Sequence, residues 1–179
     1  MPPARLQILD HGDRLTFSFE DLIRYHGRTS IGGLAHGFKV LERALPLVAG
    51  GDVPERADIS IESAFGGGGA RDGFEMVTRA VTGDRFRYDP GLAPDAPASP
   101  MGRYFFRFLH RSGTVVELTL RPGLVLDEFV DLATRGPATP AEEERLAHLK
   151  QDMADRLMAL PAADVYDAEV TRPGRRAEQ

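Results

Sequence analysis

Apolar positions recur along this chain in two periods, and each change of period marks a new element. From Ser30 to Val48, the residues Ile31, Leu34, Phe38, Leu41 and Leu45 repeat at spacings of three and four. That is the stripe of an amphipathic helix, and Pro46 predicts that its regular part ends nearby. Before it, Ser18 is placed to cap a shorter helix carrying Phe19, Leu22, Ile23 and His26 on one face, with Asp21 three residues after the cap. Further helices are predicted from about Arg71 to Val81 and from Leu124 to Thr134. Thr139-Pro140 opens a long one, with Thr139 as N-cap, Pro140 at the first helical position and Glu142, Glu143 and Glu144 in the first turn. Leu146, Leu149, Met153, Leu157 and Leu160 supply its buried stripe.

Period-two alternation marks the strands. Between Ala57 and Phe65, Ile59, Ile61 and Ser63 alternate with Asp58, Ser60 and Glu62. Arg85 to Asp89 reads as a short strand and Val165 to Val170 as a last one. The clearest hairpin joins Arg103–Arg111 to Thr114–Arg121 across Ser112-Gly113. Pro90 to Gly102 has four prolines and no periodicity, which predicts an exposed loop. Residues 1–17 read as an extended lead-in, 18–172 as a single domain and 173–179 as a disordered tail. Helices and hairpins in mixed order predict an α+β fold, with helices packed on a mixed or antiparallel sheet.

Composition narrows the function classes. The 179 residues suffice for a core without staples, and 42% hydrophobic with 27% charged content is that of a soluble globular protein. A formal net charge of -5, only two lysines (Lys39 and Lys150) and no basic cluster interleaved with aromatics argue against a nucleic-acid partner. No run approaches 18 apolar residues, so no membrane span is expected. The N-terminus lacks an apolar signal core, so the cytoplasm is the expected location. The chain has no cysteine, which excludes disulfides and thiolate-bound zinc.

Two glycine-bearing segments carry the candidate chemistry. One runs Tyr25-His26-Gly27-Arg28-Thr29-Ser30-Ile31-Gly32-Gly33, and the other is the run Gly66 to Gly69 followed by Ala70-Arg71-Asp72-Gly73-Phe74-Glu75. Glycines at helix starts let backbone N–H groups approach a ligand closely. Arg28 and Arg71 each sit at such a start, either as solvated surface groups or converging on a carboxylate or phosphate. Ser30, Gly32, Gly68, Gly69 and Asp72 complete the expected ligand-binding set. His26 is read either as a helix-end structural group or as the leading functional residue. Asp72 and Glu75 share a helix face, and Asp72 also suits the helix N-terminus. With Glu62 and Asp72, His26 forms the candidate oxygen/nitrogen metal set. His36 is read as reaching the same cleft or as an interface or surface residue, and His110 as packing on a strand face. No serine lies in a nucleophile elbow, and the His-Glu-x-x-His, P-loop and dinucleotide-binding patterns are absent.

These segments resemble the core domain of the formylmethanofuran dehydrogenase FmdE family. That family shows His-Gly-His-x-Cys-Pro-Gly at the first junction. Here His26, Gly27 and Gly32 match, while Arg28, Ser30 and Ile31 replace the second histidine, the cysteine and the proline. The family's second block is a cysteine, two residues, Asp-Ala-Ile-Gln, then Thr-Gly-Cys-Thr-x-Gly. Asp72, Thr78 and Gly83 match it without a gap, and Gly69 and Ala80 take the cysteine positions. The resemblance spans roughly Phe17 to Val170, and the zinc-ribbon module of many members is missing. It implies an α+β domain, a homodimer and a cleft for a divalent metal. With three cysteine positions replaced, that thiolate site is expected to be lost or reworked.

Two functions follow as expectations. One is a cleft protein that binds an anionic small molecule or a weak nitrogen/oxygen metal site, as an accessory to an enzyme. The other is an enzyme that uses His26 as general acid/base with arginine charge stabilisation. The Gly33/Gly37 face is the expected place for a close helix contact in the homodimer.

Overall fold

A computed structural model describes residues 2–174, so most of the tail expected over 173–179 lies outside the described residues. The first elements are β1 (Leu6–Asp10) and β2 (Asp13–Phe17), an antiparallel hairpin that turns at His11 and Gly12, both at positive φ. The lead-in is therefore paired, and its Leu6 and Ile8 are buried in the common core. The Glu55 carboxylate accepts from the backbone N–H groups of His11 (3.0 Å) and Gly12 (2.6 Å), which anchors the turn to the body.

Ser18 and Asp21 form the expected capping box of α1 (Phe19–His26), and Gly27, at φ +90°, ends that helix. Then comes α2 (Ile31–Val48). Thirteen of its eighteen residues are buried, so it is a central helix with neighbours on most sides. Pro46 lies in its last turn, where the carbonyl of Pro46 accepts from Gly51 N–H at 2.8 Å. Lys39 is also buried, its ammonium held by the Glu42 carboxylate (2.8 Å) and the Leu160 carbonyl (2.7 Å).

The main sheet comprises β3 (Ile59–Phe65), β4 (Phe86–Tyr88), β5 (Ala98–Ser99), β6 (Gly102–His110), β7 (Val115–Leu120) and β8 (Tyr166–Thr171). Its order is β4-β3-β6-β7-β8, with β5 added on β6. Only β3 and β4 pair in parallel, so the sheet is mixed and the fold is α+β. One face presents Ile59, Ile61, Phe106, Phe108, Val116 and Leu118 to the helices. On the other, Arg107 bonds Glu62 and Glu117, each at 2.7 Å, and Arg87 bonds Glu62 at 2.9 Å.

The helix α3 (Gly68–Thr78) begins and ends about three residues before its predicted span. Gly67 takes the extended N-cap conformation, and Arg71 N–H bonds the Gly67 carbonyl, so the glycine run itself opens the helix. At the far end Arg79 is left-handed, and the Glu75 carboxylate accepts from the N–H groups of Val81 and Thr82. That turns the chain out of the helix. The remaining helices are α4 (Asp127–Arg135), α5 (Pro140–Ala159) and the short α6 (Ala162–Val165). No helix among the described residues is long and apolar enough to cross a membrane.

Candidate functional site

The two glycine segments meet where α2 crosses α3. A Cβ at Gly69 would lie 2.8 Å from both the Leu34 nitrogen and the Ser30 carbonyl oxygen, and one at Gly37 would lie 3.0 Å from the Ala70 Cα. Only glycine permits so close an approach of two backbones. A Cβ at Gly33 would meet Gly69 and Ala70 at 3.6–3.7 Å. The Gly33/Gly37 face is thus filled within the protomer, which corrects its assignment to a dimer contact.

Beside this crossing a cavity of about 270 Å³ opens. Its floor is Ser30, Gly32 and Gly33 at the start of α2 and Gly67 to Gly69 at the start of α3. Phe65 and Tyr104 form one wall, with their rings 5.0 Å apart and inclined by only 21°. Phe129 and Ala133 come from α4, and Leu146, Lys150 and Met153 from α5. Neither α2 nor α3 has a side-chain cap or an acidic residue in its first turn, whereas α1, α4 and α5 all carry acids there. The free N–H groups and positive dipole ends of both helices are left uncompensated at the cavity. Among the described residues Lys150 is the one charged residue in the lining; it also borders the neighbouring depression, where its ammonium donates to the Thr29 carbonyl at 3.3 Å.

Of the expected ligand-binding residues, Ser30, Gly32, Gly68 and Gly69 line this cavity and the others do not. Arg28 is exposed and borders a neighbouring surface depression with Glu143 and Gln151. Arg71 is exposed too, 4.0 Å from the Asp72 carboxylate. Asp72 reaches back to α1, where its Oδ2 lies 2.7 Å from His26 Nδ1. A carboxylate only accepts, so His26 donates through Nδ1 and Asp72 fixes the ring. His26 Nε2 is buried with no partner among the described residues, and the ring lies 3.8 Å from where a Cβ at Gly68 would stand. His26 therefore stands behind the cavity floor and outside its lining.

Glu62 does not join His26 and Asp72. It projects from the opposite face of the sheet, where Arg87 and Arg107 occupy both its oxygens. One step of the two-residue strand period separates it from the helix-facing Ile61 and Ser63. One nitrogen and one oxygen fall short of the three or four ligands of a zinc centre. Among the described residues no group of three or more His, Cys, Asp or Glu side chains could hold a metal. The residues present do not fit the divalent metal that the family resemblance implies.

His36 is neither a surface nor an interface residue. It is fully buried, stacks on Tyr104 with centroids 4.4 Å apart, and its Nδ1 lies 2.7 Å from the Tyr166 hydroxyl. Its Nε2 has no partner among the described residues. Burial, reinforced by the charge of Arg156, holds its pKa down to about 3, so the ring is neutral. His110 is half-buried, and its ring pairs with the Ser112 hydroxyl at the hairpin turn.

Sequence reasoning missed Phe65, Tyr104, Phe129 and Lys150 as cavity residues. Only Lys150 left a signal. It follows Leu146 by four residues and precedes Met153 by three, so it interrupts the apolar stripe of α5. No protein-family model matches the chain, and a search of the curated proteins finds no match.

Proposed function

We propose that this protein binds a small organic anion in the cavity between α2, α3, α4 and α5. The observation that carries the reading is the meeting of two uncapped helix starts and Lys150 at one apolar-walled cavity. Free N–H groups and helix dipoles favour an anion there, and concave apolar walls with a few convergent polar groups are what small-molecule sites look like. The anchor is Lys150 with the glycine backbone, in place of the expected Arg28 and Arg71. Kinship with the FmdE family, a homodimer, an accessory role beside an enzyme and a cytoplasmic location belong to the same proposal. The meeting of the two segments that carry the resemblance supports the kinship. A homodimer has to use a surface other than the Gly33/Gly37 face.

Calorimetric titration with small organic carboxylates tests the reading. A ligand at a hundredfold its Kd stabilises the fold by about 2.7 kcal/mol, visible as a raised thermal midpoint. Lys150→Ala is expected to weaken binding about tenfold or more, since a hydrogen bond to a charged group contributes about 1.5–3 kcal/mol. Its own midpoint should change little, because Lys150 is only partly buried. Failure of every organic anion to bind or stabilise the protein would overturn the proposal.

A second reading keeps His26 as a general acid/base. Its support is the Asp72 contact to Nδ1, which leaves Nε2 free of partners. It requires a turnover that His26→Ala abolishes while ligand affinity stays intact. The binding reading requires no turnover.

A further inference from the structure

We infer that the ligand is a flat, conjugated monocarboxylate, an aromatic acid of one or two rings held by its carboxylate at Lys150 and by its ring against Phe65 and Tyr104. This rests on the proposed anion-binding function and narrows it to one chemical class.

The argument starts from the charge of the lining. Among the described residues Lys150 is its one charged side chain, and no aspartate, glutamate or arginine of theirs lines the cavity. The Lys150 ammonium lies beside the start of α2, so the positive potential of Lys150 and the two helix starts is gathered at one end of the cavity. Phosphate and polycarboxylates carry charged oxygens on several sides, and those turned to the apolar walls would lose their water without replacement. A sugar or other polyhydroxyl compound is disfavoured as well. Apart from the glycine floor, Ser30, Ser99 and Tyr104 are the uncharged polar side chains among the described lining residues.

Shape argues for planarity. The Phe65 and Tyr104 rings stack on each other and His36 stacks on Tyr104, so what they leave to the cavity is mainly ring edge, against which the face of a flat aromatic ligand packs well. His36, stacked behind Tyr104, is fully buried and backs that ring. Phe129 supplies a third aromatic side chain, and Met101 and Met153 bring thioethers, which favour aromatic partners. Polar groups gather at the floor and at Lys150, and apolar groups make the walls. A ligand that fits both is charged at one end and flat and apolar at the other.

The test is calorimetric titration of the full chain with 2-naphthoate, benzoate, cyclohexanecarboxylate, acetate, inorganic phosphate, citrate and the neutral 2-naphthalenemethanol. We expect benzoate and 2-naphthoate to bind at least tenfold more tightly than acetate, phosphate or citrate. Each aryl acid should also exceed its comparator, benzoate over cyclohexanecarboxylate and naphthoate over the neutral alcohol. Lys150→Met should erase the advantage of naphthoate over the alcohol, and Phe129→Ala should weaken naphthoate more than acetate. Phosphate or citrate binding more tightly than the aryl acids would overturn the ligand class and leave the anion-binding function standing. Equal affinity for benzoate and cyclohexanecarboxylate would overturn the planar ring, and equal affinity for naphthoate and the alcohol would overturn the carboxylate anchor. Failure of every probe to bind would overturn both the class and the function beneath it.

Discussion

His36 has no exposure, a tyrosine hydroxyl on one nitrogen and nothing on the other, and that setting decides its charge. Its folded pKa of about 3 lies below the ordinary value of 6.5, so the unfolded chain takes up a proton that the native ring refuses. Stability from this group is complete above about pH 6.5 and is lost as pH falls toward 3. The slope is about 1.4 kcal/mol per pH unit for one proton. Between pH 7 and pH 5 the free energy of unfolding should fall by about 2 kcal/mol, read as a lower urea midpoint, and His36→Gln should flatten that dependence. Carboxylates held low by their partners, such as Glu142 at about 2 beside Arg135, add their own losses only at more acid pH. A wild-type midpoint unchanged from pH 7 to 5 would mean that His36 is not buried as described. None of this was legible in the sequence, because a histidine one turn from a glycine looks the same whether it faces solvent or a ring. His26 was placed more closely, at a helix end and grouped with Asp72, 46 residues away, and the fold sets the two 2.7 Å apart while it holds Glu62 on the other face of the sheet.

Glycine in a helix costs about 1 kcal/mol relative to alanine, so several on one crossing need a packing reason. Here the reason differs by position. Gly69→Ala would drive a methyl to 2.8 Å from two backbone atoms of α2, and neither helix can yield without moving the other. It should cost about 1–3 kcal/mol of stability and lose the cavity floor with it. Gly33→Ala meets only ordinary contacts at 3.6–3.7 Å and gains helix propensity, so its urea midpoint should stay level or rise. Equal effects of the two substitutions would show that the helices do not cross here. Elements fixed by local chemistry were read well from the sequence. The Ser18 box, the Thr139-Pro140 start and the hairpin at Ser112-Gly113 all appear where expected. The start of α3 was not, since four glycines read as a break until Gly67 is seen to cap and Gly68 to begin the turn. The cavity walls escaped for another reason. Phe65, Tyr104, Phe129 and Met153 come from four elements, and each looks like core in its own stretch of sequence.

At the scale of the molecule, the N-terminal hairpin decides how far the folding unit extends. Its residues read as a lead-in because a lone five-residue strand buries nothing. Paired through Asp10 and Asp13, the two strands turn Leu6 and Ile8 toward α2 and the core, and both are all but inaccessible. Burying each side chain contributes about 1.5–3 kcal/mol. The Asp10–Arg56 pair at 2.6 Å and the Glu55 carboxylate bonds tie the same hairpin to the segment that leads into β3. Removing residues 1–17 would uncover apolar surface on α2 and break those ties together. The truncated protein should therefore lose about 3–6 kcal/mol, a fall in thermal midpoint of roughly 2–4 °C for each kcal/mol at this chain length. Ile8→Ala alone should cost about 2–5 kcal/mol, which separates loss of packing from loss of chain. A truncated protein whose urea and thermal midpoints match those of the full chain would instead make the hairpin an appendage on a domain that begins at Ser18.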